Sequence, residues 1–467
     1  MANNEPTEFT LYTRRWYLLA VVVMINLSNA MTWITFAPIT FYTRKYYDNN
    51  NAPMFYNAVF MVMSIPMGFV AMWSVDKFGL KTGCYLGALL NLIGNILRVL
   101  GSISSIPASD RFLIVLLGQS TAACAQPFIM YLPTKLAAFW FPDSQRAVAN
   151  TIGSMSNPLG IAAMYASSNL FVNDSHPDAF LLLNSIVAST AVVTALMVFG
   201  VTSSVPPTPA SASSSREIPA PPFVEGLKKA IKSRTFIILG CAIGAGIGLV
   251  NALYNNLQPA LCVKGYSDTF SGGMGALLIL SGLIGSAISG VYIDKTKKFE
   301  ETMKCCFCAA AFFACSLSVS LQHENVQWWI ALSIFGFGSC GFAIYPIGLE
   351  LGVEVTYPVA EATSSGLTIM MGQVQGILYV LITFLFTQRA SLHEMRIQTC
   401  TSSTDPDDVQ NWKYSFMAWN TIIVVLLIIF VFFFWPKYRR MQYEQGVKSR
   451  ESNNTEMRFD SEKVVQA

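Results

Sequence analysis

Charge is what this sequence lacks most. Only 12% of its 467 residues are Asp, Glu, Lys or Arg, whereas soluble domains carry about 25%. So few charges cannot clothe a chain of this size for water, which excludes an ordinary soluble globule. Thirty basic residues against 27 acidic ones leave a net charge of +3, far from the basic stripe that nucleic-acid binding requires. Nucleic acid is therefore not an expected partner. Histidine is scarce as well: the chain holds only His176, His323 and His393. None lies in an apolar run, and no nucleophile–base pair has a recognisable spacing, so no enzyme is expected. The ten cysteines show no paired metal-ligand spacing, and neither a metal nor a cofactor is expected. Most of them sit in apolar runs, where a thiol behaves as a small hydrophobe.

Apolar length is what the chain has instead. Hydrophobic residues make up 53% of it, gathered into runs that match the roughly 20 residues a membrane-spanning helix needs. The first follows Arg14 and Arg15 and is too long for a cleaved secretory leader. Then come 54–75, 81–101, 112–139, 148–171 and 180–202. After a polar break follow 235–261, 270–293, 303–321, 326–351, 362–387 and 412–435. The expected fold is all-α, with twelve transmembrane helices in two pseudo-symmetric six-helix bundles, residues 15–202 and 234–436. The break, 203–233, is rich in Pro and Ser and reads as a flexible cytosolic linker. Residues 1–14 read as a cytosolic tail, and the polar stretch 437–467 as a disordered one.

Basic residues set the orientation. Arg14, Arg15, Lys77, Lys81, Arg146, Lys228, Lys229, Lys295, Lys297, Lys298, Lys437, Arg439 and Arg440 all fall on one side. That side should be cytosolic, with both termini in the cytosol and the plasma membrane as the expected location. Asn173-Asp174-Ser175 then becomes a glycosylation acceptor at Asn173 on the outer side. Cys262 and Cys400 are the cysteines nearest that outer face and form a candidate disulfide.

Two patterns recur between the halves. Asp76-Lys77 closes the second span and Asp294-Lys295 the eighth, 218 residues later. Phe141-Pro142 precedes the fifth span and Tyr357-Pro358 the eleventh, 216 residues later. Asn157 and Gly160 map onto Gln373 and Gly376 at that same offset of 216. Halves repeated as whole units suit a carrier that rocks around a central site. On this reading Asp76, Lys77, Gly79, Lys81, Asp294 and Lys295 form a gate that breaks as the halves part. The bland alternative is that the lysines only satisfy the positive-inside rule.

Polar residues inside the spans are costly in lipid and must face protein or a wet cavity. Taken alone, Asn26, Ser28, Asn29, Thr32 and Thr35 on the first span read as interhelical glue, but the polar residues of the other spans turn the reading toward a water-filled cavity. Gln126 and Gln373, with Asn91, Asn95 and Asn157, are more polar atoms than glue requires and point to a cavity. Gly240, Gly244, Gly246 and Gly248 on the seventh span suit close packing, or a hinge. Glu350 is the one fair candidate for proton coupling, although pairing with a nearby cation is the plainer reading. Facilitated, uncoupled transport is expected.

The run Asp76-Lys77-x-Gly79-x-Lys81 resembles the loop motif of the major facilitator superfamily, with Asp294-Lys295 as a degraded second copy. Asn29-Ala30-x-x-Trp33-Ile34, Ala125-Gln126-x-Phe128-Ile129, the run 350–358, Ser364-Ser365-Gly366-Leu367 and Gly372-Gln373-Val374-x-Gly376-Ile377 are similar to the feline leukaemia virus subgroup C receptor-related family, solute carrier family 49. The resemblance covers about the whole membrane region and implies transport of choline or ethanolamine, with haem export as the alternative. It also implies a substrate cage of Trp33, Gln126 and Gln373. The family's tyrosine position falls on Asn251, a departure, and Tyr254 lies one helical turn on. Losing one aromatic wall makes room for a polar group, so a small polar or cationic organic solute fits these residues. A non-transporting receptor that uses its outer loops is the other class to weigh. The expected partners are the solute and membrane lipid, and a monomer is expected.

Overall fold

Apolar chain in a membrane must satisfy its own backbone N–H and C=O groups, and a helix does so within one segment. The computed structural model describes residues 10–49, 51–173, 175–215, 219–399, 409–447 and 449. The described chain is helical almost throughout. In order come α1 Arg14–Ile34, α2 Thr40–Tyr46, α3 Ala52–Phe78, α4 Leu80–Leu100, α5 Ala108–Met130, α6 Leu132–Trp140, α7 Arg146–Phe171 and α8 Phe180–Val198. Then follow α9 Phe223–Lys232, α10 Arg234–Cys262, α11 Asp268–Thr296, α12 Phe299–Ser320, α13 Gln327–Thr356, α14 Glu361–Phe386, α15 Leu392–Ile397 and α16 Lys413–Phe433. One antiparallel pair of two-residue strands, Gln388–Arg389 with Gln410–Asn411, ties the loop before α16.

Among the described residues, eleven helices are long and apolar enough to cross a membrane. Ala108–Trp140 counts as one of them. It bends between α5 and α6, where Pro127 and Pro133 interrupt the hydrogen-bond ladder. The remaining expected span, 148–171, is α7, which has 26 residues but is not one of the eleven. The reason is its buried Asn150, Thr151, Ser154, Ser156 and Asn157. α7 can carry them because it packs between α1 and α11.

Helices pack mainly within their own half. α4 lies on α5 and α8, and α1 on α7. In the second half α10 lies on α14, and α13 on α11 and α12. Between the halves α7 packs on α11 and α13, and α14 packs on α3 and α6. The α10–α14 contact is close because the α14 backbone at Gly372 and Gly376 reaches Gly244 and Gly248, while the Met371 side chain fills the space over Gly240. A glycine also permits the turn between α3 and α4. Gly79 is the single residue between them, its φ is +87°, and Ser204 packs where a Cβ would stand.

The polar face of α1 is glue, which corrects the expectation that it faces a cavity. Asn29 Nδ2 donates to Asn91 Oδ1 and to the Ala122 carbonyl, both at 3.0 Å. Asn91 Nδ2 donates to Ser28 Oγ at 3.1 Å, and Asn95 Nδ2 to Thr32 Oγ1 at 2.9 Å. Arg98, fully buried, completes the chain by donating to Asn95 Oδ1 and Asn184 Oδ1 at 3.1 and 2.8 Å. Such bonds contribute about 0.6 kcal/mol each in a membrane. Asn91 and Asn95 therefore bond α4 to α1 and do not face a cavity, a correction to the sequence reading.

The two polar segments are more ordered than their composition suggests. Within 203–233, α9 is a helix, and Ser211 and Ser213 are buried. Within 437–467, residues 439–447 are helical and bury Arg440 and Glu444. Charge pairing holds this piece in place, as detailed below.

Candidate solute cavity and the closure beneath it

Trp33 follows Thr32 in α1 but lies off the face that the bonds press onto α4. It lines a central cavity of about 80 Å³. Gln126, Asn251, Tyr254 and Gln373 line the same cavity. All five residues named from the sequence thus meet at one place. Both halves supply the walls, α1, α5 and α7 on one side and α10, α13 and α14 on the other.

Asn157, Phe342 and Tyr345 are among the other residues that line the cavity. Asn157 had a signal in the sequence, since the repeat places it opposite Gln373. Phe342 and Tyr345 had none, because the stretch of α13 around them, 340–349, is apolar throughout. Tyr254 stacks on Tyr165 at 6.5 Å between centroids and meets the edge of Phe342 at 6.4 Å. Trp33 packs against Phe60 at 6.3 Å. Gln126 is oriented by Ser64, whose hydroxyl donates to its Oε1 at 3.3 Å. No acidic or basic residue is among the lining residues. The cavity offers aromatic faces to a cation and amides to a polar group, with no fixed charge. Gly246 also opens onto it, and a Cβ there would meet nothing within 4 Å.

Beyond the cavity, toward the face with the basic loops, the halves close on one another. Asp76, at the end of α3, accepts from the backbone N–H groups of Ala362 and Thr363 at 3.2 and 2.8 Å. It also accepts from Thr363 Oγ1 at 2.6 Å and pairs with Lys135 Nζ at 2.7 Å. Asp294, at the end of α11, accepts from the N–H groups of Ala147 and Val148 at 3.0 and 2.8 Å. Each aspartate caps the first turn of a helix from the opposite half, where unpaired N–H groups and the helix dipole favour a negative charge.

The lysines expected to join these aspartates lie elsewhere. Lys77 points out over the rings of Trp73 and Phe78, and Lys81 over Tyr85. Lys295 is exposed. Lys135 takes the place beside Asp76. Lys297 stands 3.7 Å from Asp294 and 3.3 Å from Asp143. On a helix end, neighbours in sequence point in different directions, so adjacency to an aspartate does not place a lysine against it.

Glu350 does not reach the cavity. It is in ion-pair contact with Arg440, whose Nε also binds Glu354 Oε1 at 2.7 Å. Burial would lower the Arg440 pKa, but Glu354, Glu350 and Glu444 together hold it above its usual value. Burial would likewise raise Glu444, yet Arg146, Arg440 and a hydrogen bond from Ser213 pull it down to about 2. Glu444 pairs with Arg146 at 3.1 Å.

On the opposite face Asn173 is half-buried in the loop after α7. His176, His323 and His393 are exposed, and none lines the cavity. Cys262 is disulfide-bonded, while Cys400, its expected partner, lies outside the described residues.

Comparison with known proteins agrees with this architecture. The profile described as Major Facilitator Superfamily matches residues 10–380. The chain is 37% identical to solute carrier family 49 member A3 of Danio rerio, over 95% of this chain and 92% of that one. It is 29% identical to the choline/ethanolamine transporter flvcr2a of Danio rerio, over 80% of each. The solved structure of the proton:xylose symporter XylE superposes with a TM-score of 0.71 at 10% identity, covering 93% of this chain and 99% of that one, a likeness of fold. The chain is thus a multi-pass small-solute transporter and not an enzyme, and it belongs to the major facilitator superfamily and, within it, to the feline leukaemia virus subgroup C receptor-related family, solute carrier family 49.

Proposed function

We propose that this protein moves a small polar or cationic organic solute, choline- or ethanolamine-like, across the plasma membrane by alternating access. One observation carries the reading. Trp33, Gln126, Asn251, Tyr254 and Gln373 come from α1, α5, α10 and α14, yet surround a single cavity between the halves. An ammonium group held by aromatic faces gains about 0.5–2 kcal/mol per contact. The amides supply hydrogen bonds to a hydroxyl or amine. Relatives described as choline/ethanolamine transporters support that solute class.

In this reading α7 is the twelfth span, and residues 15–202 and 234–436 form the two six-helix bundles. The basic face is cytosolic, so the closure at Asp76 and Asp294 seals the inner side while the cavity awaits solute from outside. Flux is facilitated, because no carboxylate lines the cavity to relay a proton. Radiolabelled choline uptake into vesicles tests both points. Trp33→Ala is expected to reduce uptake at least tenfold with membrane delivery unchanged; uptake at the parent level removes the assigned site. An imposed proton gradient is expected to leave the uptake plateau unmoved, and uphill accumulation would make the carrier proton-coupled.

A further inference from the structure

The helix at 439–447 has an uneven set of attachments. Most go to the second half. Arg440 binds Glu350 and Glu354 of α13, and the Met441 N–H donates to Glu354 Oε2 at 3.2 Å. Just before it, the Tyr438 hydroxyl accepts from the Glu300 N–H at 3.1 Å and its ring packs on Phe299 of α12. Tyr443 stacks on Tyr357 at 5.5 Å. One turn after Arg440, on the same helical face, Glu444 reaches the other way. Its carboxylate accepts from Nη2 of Arg146, the first residue of α7, at 3.1 Å, and from Ser213 Oγ of the linker. Arg146 Nη2 also donates to Ser211 Oγ at 2.9 Å.

The five charged groups, Glu350, Glu354, Glu444, Arg146 and Arg440, are all less than 5% exposed. Removing one partner of a buried pair strands the other, which is strongly destabilising while the site stays dry. Once water enters, the same charges are solvated separately and the attraction fades. A pair of this kind holds firmly when the inner side is sealed and weakly once it opens. That is the behaviour of a bistable catch.

We propose that residues 439–447 are an autoinhibitory latch, seated on the second half and bolted to the first through Glu444 and Arg146, so that every passage to the inward-open state must break this pair. The proposal rests on the alternating-access reading above, but its test needs no solute.

Gly246→Cys places a thiol in the cavity without a clash, and a charged, membrane-impermeant methanethiosulfonate reports access to it. Labelling is measured on the full chain, in inside-out and in right-side-out vesicles. Labelling of the chain without Gly246→Cys is subtracted as background. Glu444→Gln is expected to raise the labelling rate from the cytosolic side about tenfold and to lower it from the outer side. Arg146→Gln should do the same, and the double variant should be no faster than either single one, because all three break the same Glu444–Arg146 pair. Ser213→Ala, which keeps every charge, should shift access two- to threefold in the same direction and serves if the charge variants fail to reach the membrane. Unchanged rates, a rise from both sides alike, or additive effects in the double variant would overturn the latch. Loss of choline uptake in the parent chain would count against the solute assignment and leave this result readable.

Discussion

Asp76 and Asp294 stand at equivalent points of the repeat and differ in what surrounds them. Both carboxylates cap a helix of the opposite half through two backbone N–H groups. Only Asp76 adds a hydroxyl bond at 2.6 Å and a lysine at 2.7 Å. Asp294 has its nearest lysine at 3.7 Å, and that lysine is shared with Asp143. The repeat therefore keeps the bond that joins the halves and lets the ion pair around it drift. A degraded motif can lose its lysines and still join the halves, provided the carboxylate and the facing helix start are intact.

Four substitutions sharpen or break this comparison, read as choline uptake and as cytosolic labelling of Gly246→Cys. Asp76→Asn should have the largest effect, at least a tenfold loss of uptake and a matching gain in cytosolic labelling. It removes the charge from two N–H bonds, a hydroxyl bond and a buried lysine together. Asp294→Asn should cost three- to fivefold, since only the capping bonds and a distant lysine are touched. Equal effects of the two would mean that the caps alone carry the closure and that Lys135 adds nothing. Lys77→Gln and Lys295→Gln should stay within twofold of the parent, because both lysines are exposed and neither bonds across the closure. A tenfold loss at Lys295 would restore the gate as the sequence describes it.

Spans, repeat and cavity residues were legible before any coordinates, for different reasons. Apolar length declares a membrane helix whatever its neighbours are. The repeat offset joined Asn157 to Gln373, and both line the cavity. Residues recognised by motif, such as Trp33 and Gln373, were legible because a whole segment resembled a family. Side-chain direction was not legible. Asn91 and Asn157 are both amides in apolar runs, and only packing decides that one bonds α1 while the other faces the cavity. The latch was hidden more deeply. Its pairs span 90 residues from Glu350 to Arg440 and 298 from Arg146 to Glu444. A polar segment without apolar periodicity gives no hint that it will be buried. α7 shows the converse, a helix whose polarity weakens its hydropathy signal because two neighbouring helices shield it.

The uncharged lining of the cavity has an electrical consequence. With no carboxylate there to offset an ammonium group, the occupied carrier bears whatever charge its passenger brings, while the empty one crosses with none. For a monovalent cation in the proposed uncoupled cycle, the membrane voltage, worth about 2.3 kcal/mol per elementary charge per 100 mV, then falls on the loaded step and leaves the empty return free of it. At equilibrium the inside would hold roughly ten times the outside concentration for every 60 mV of negative interior potential. Resting polarisation alone would concentrate such a solute, with no second ion.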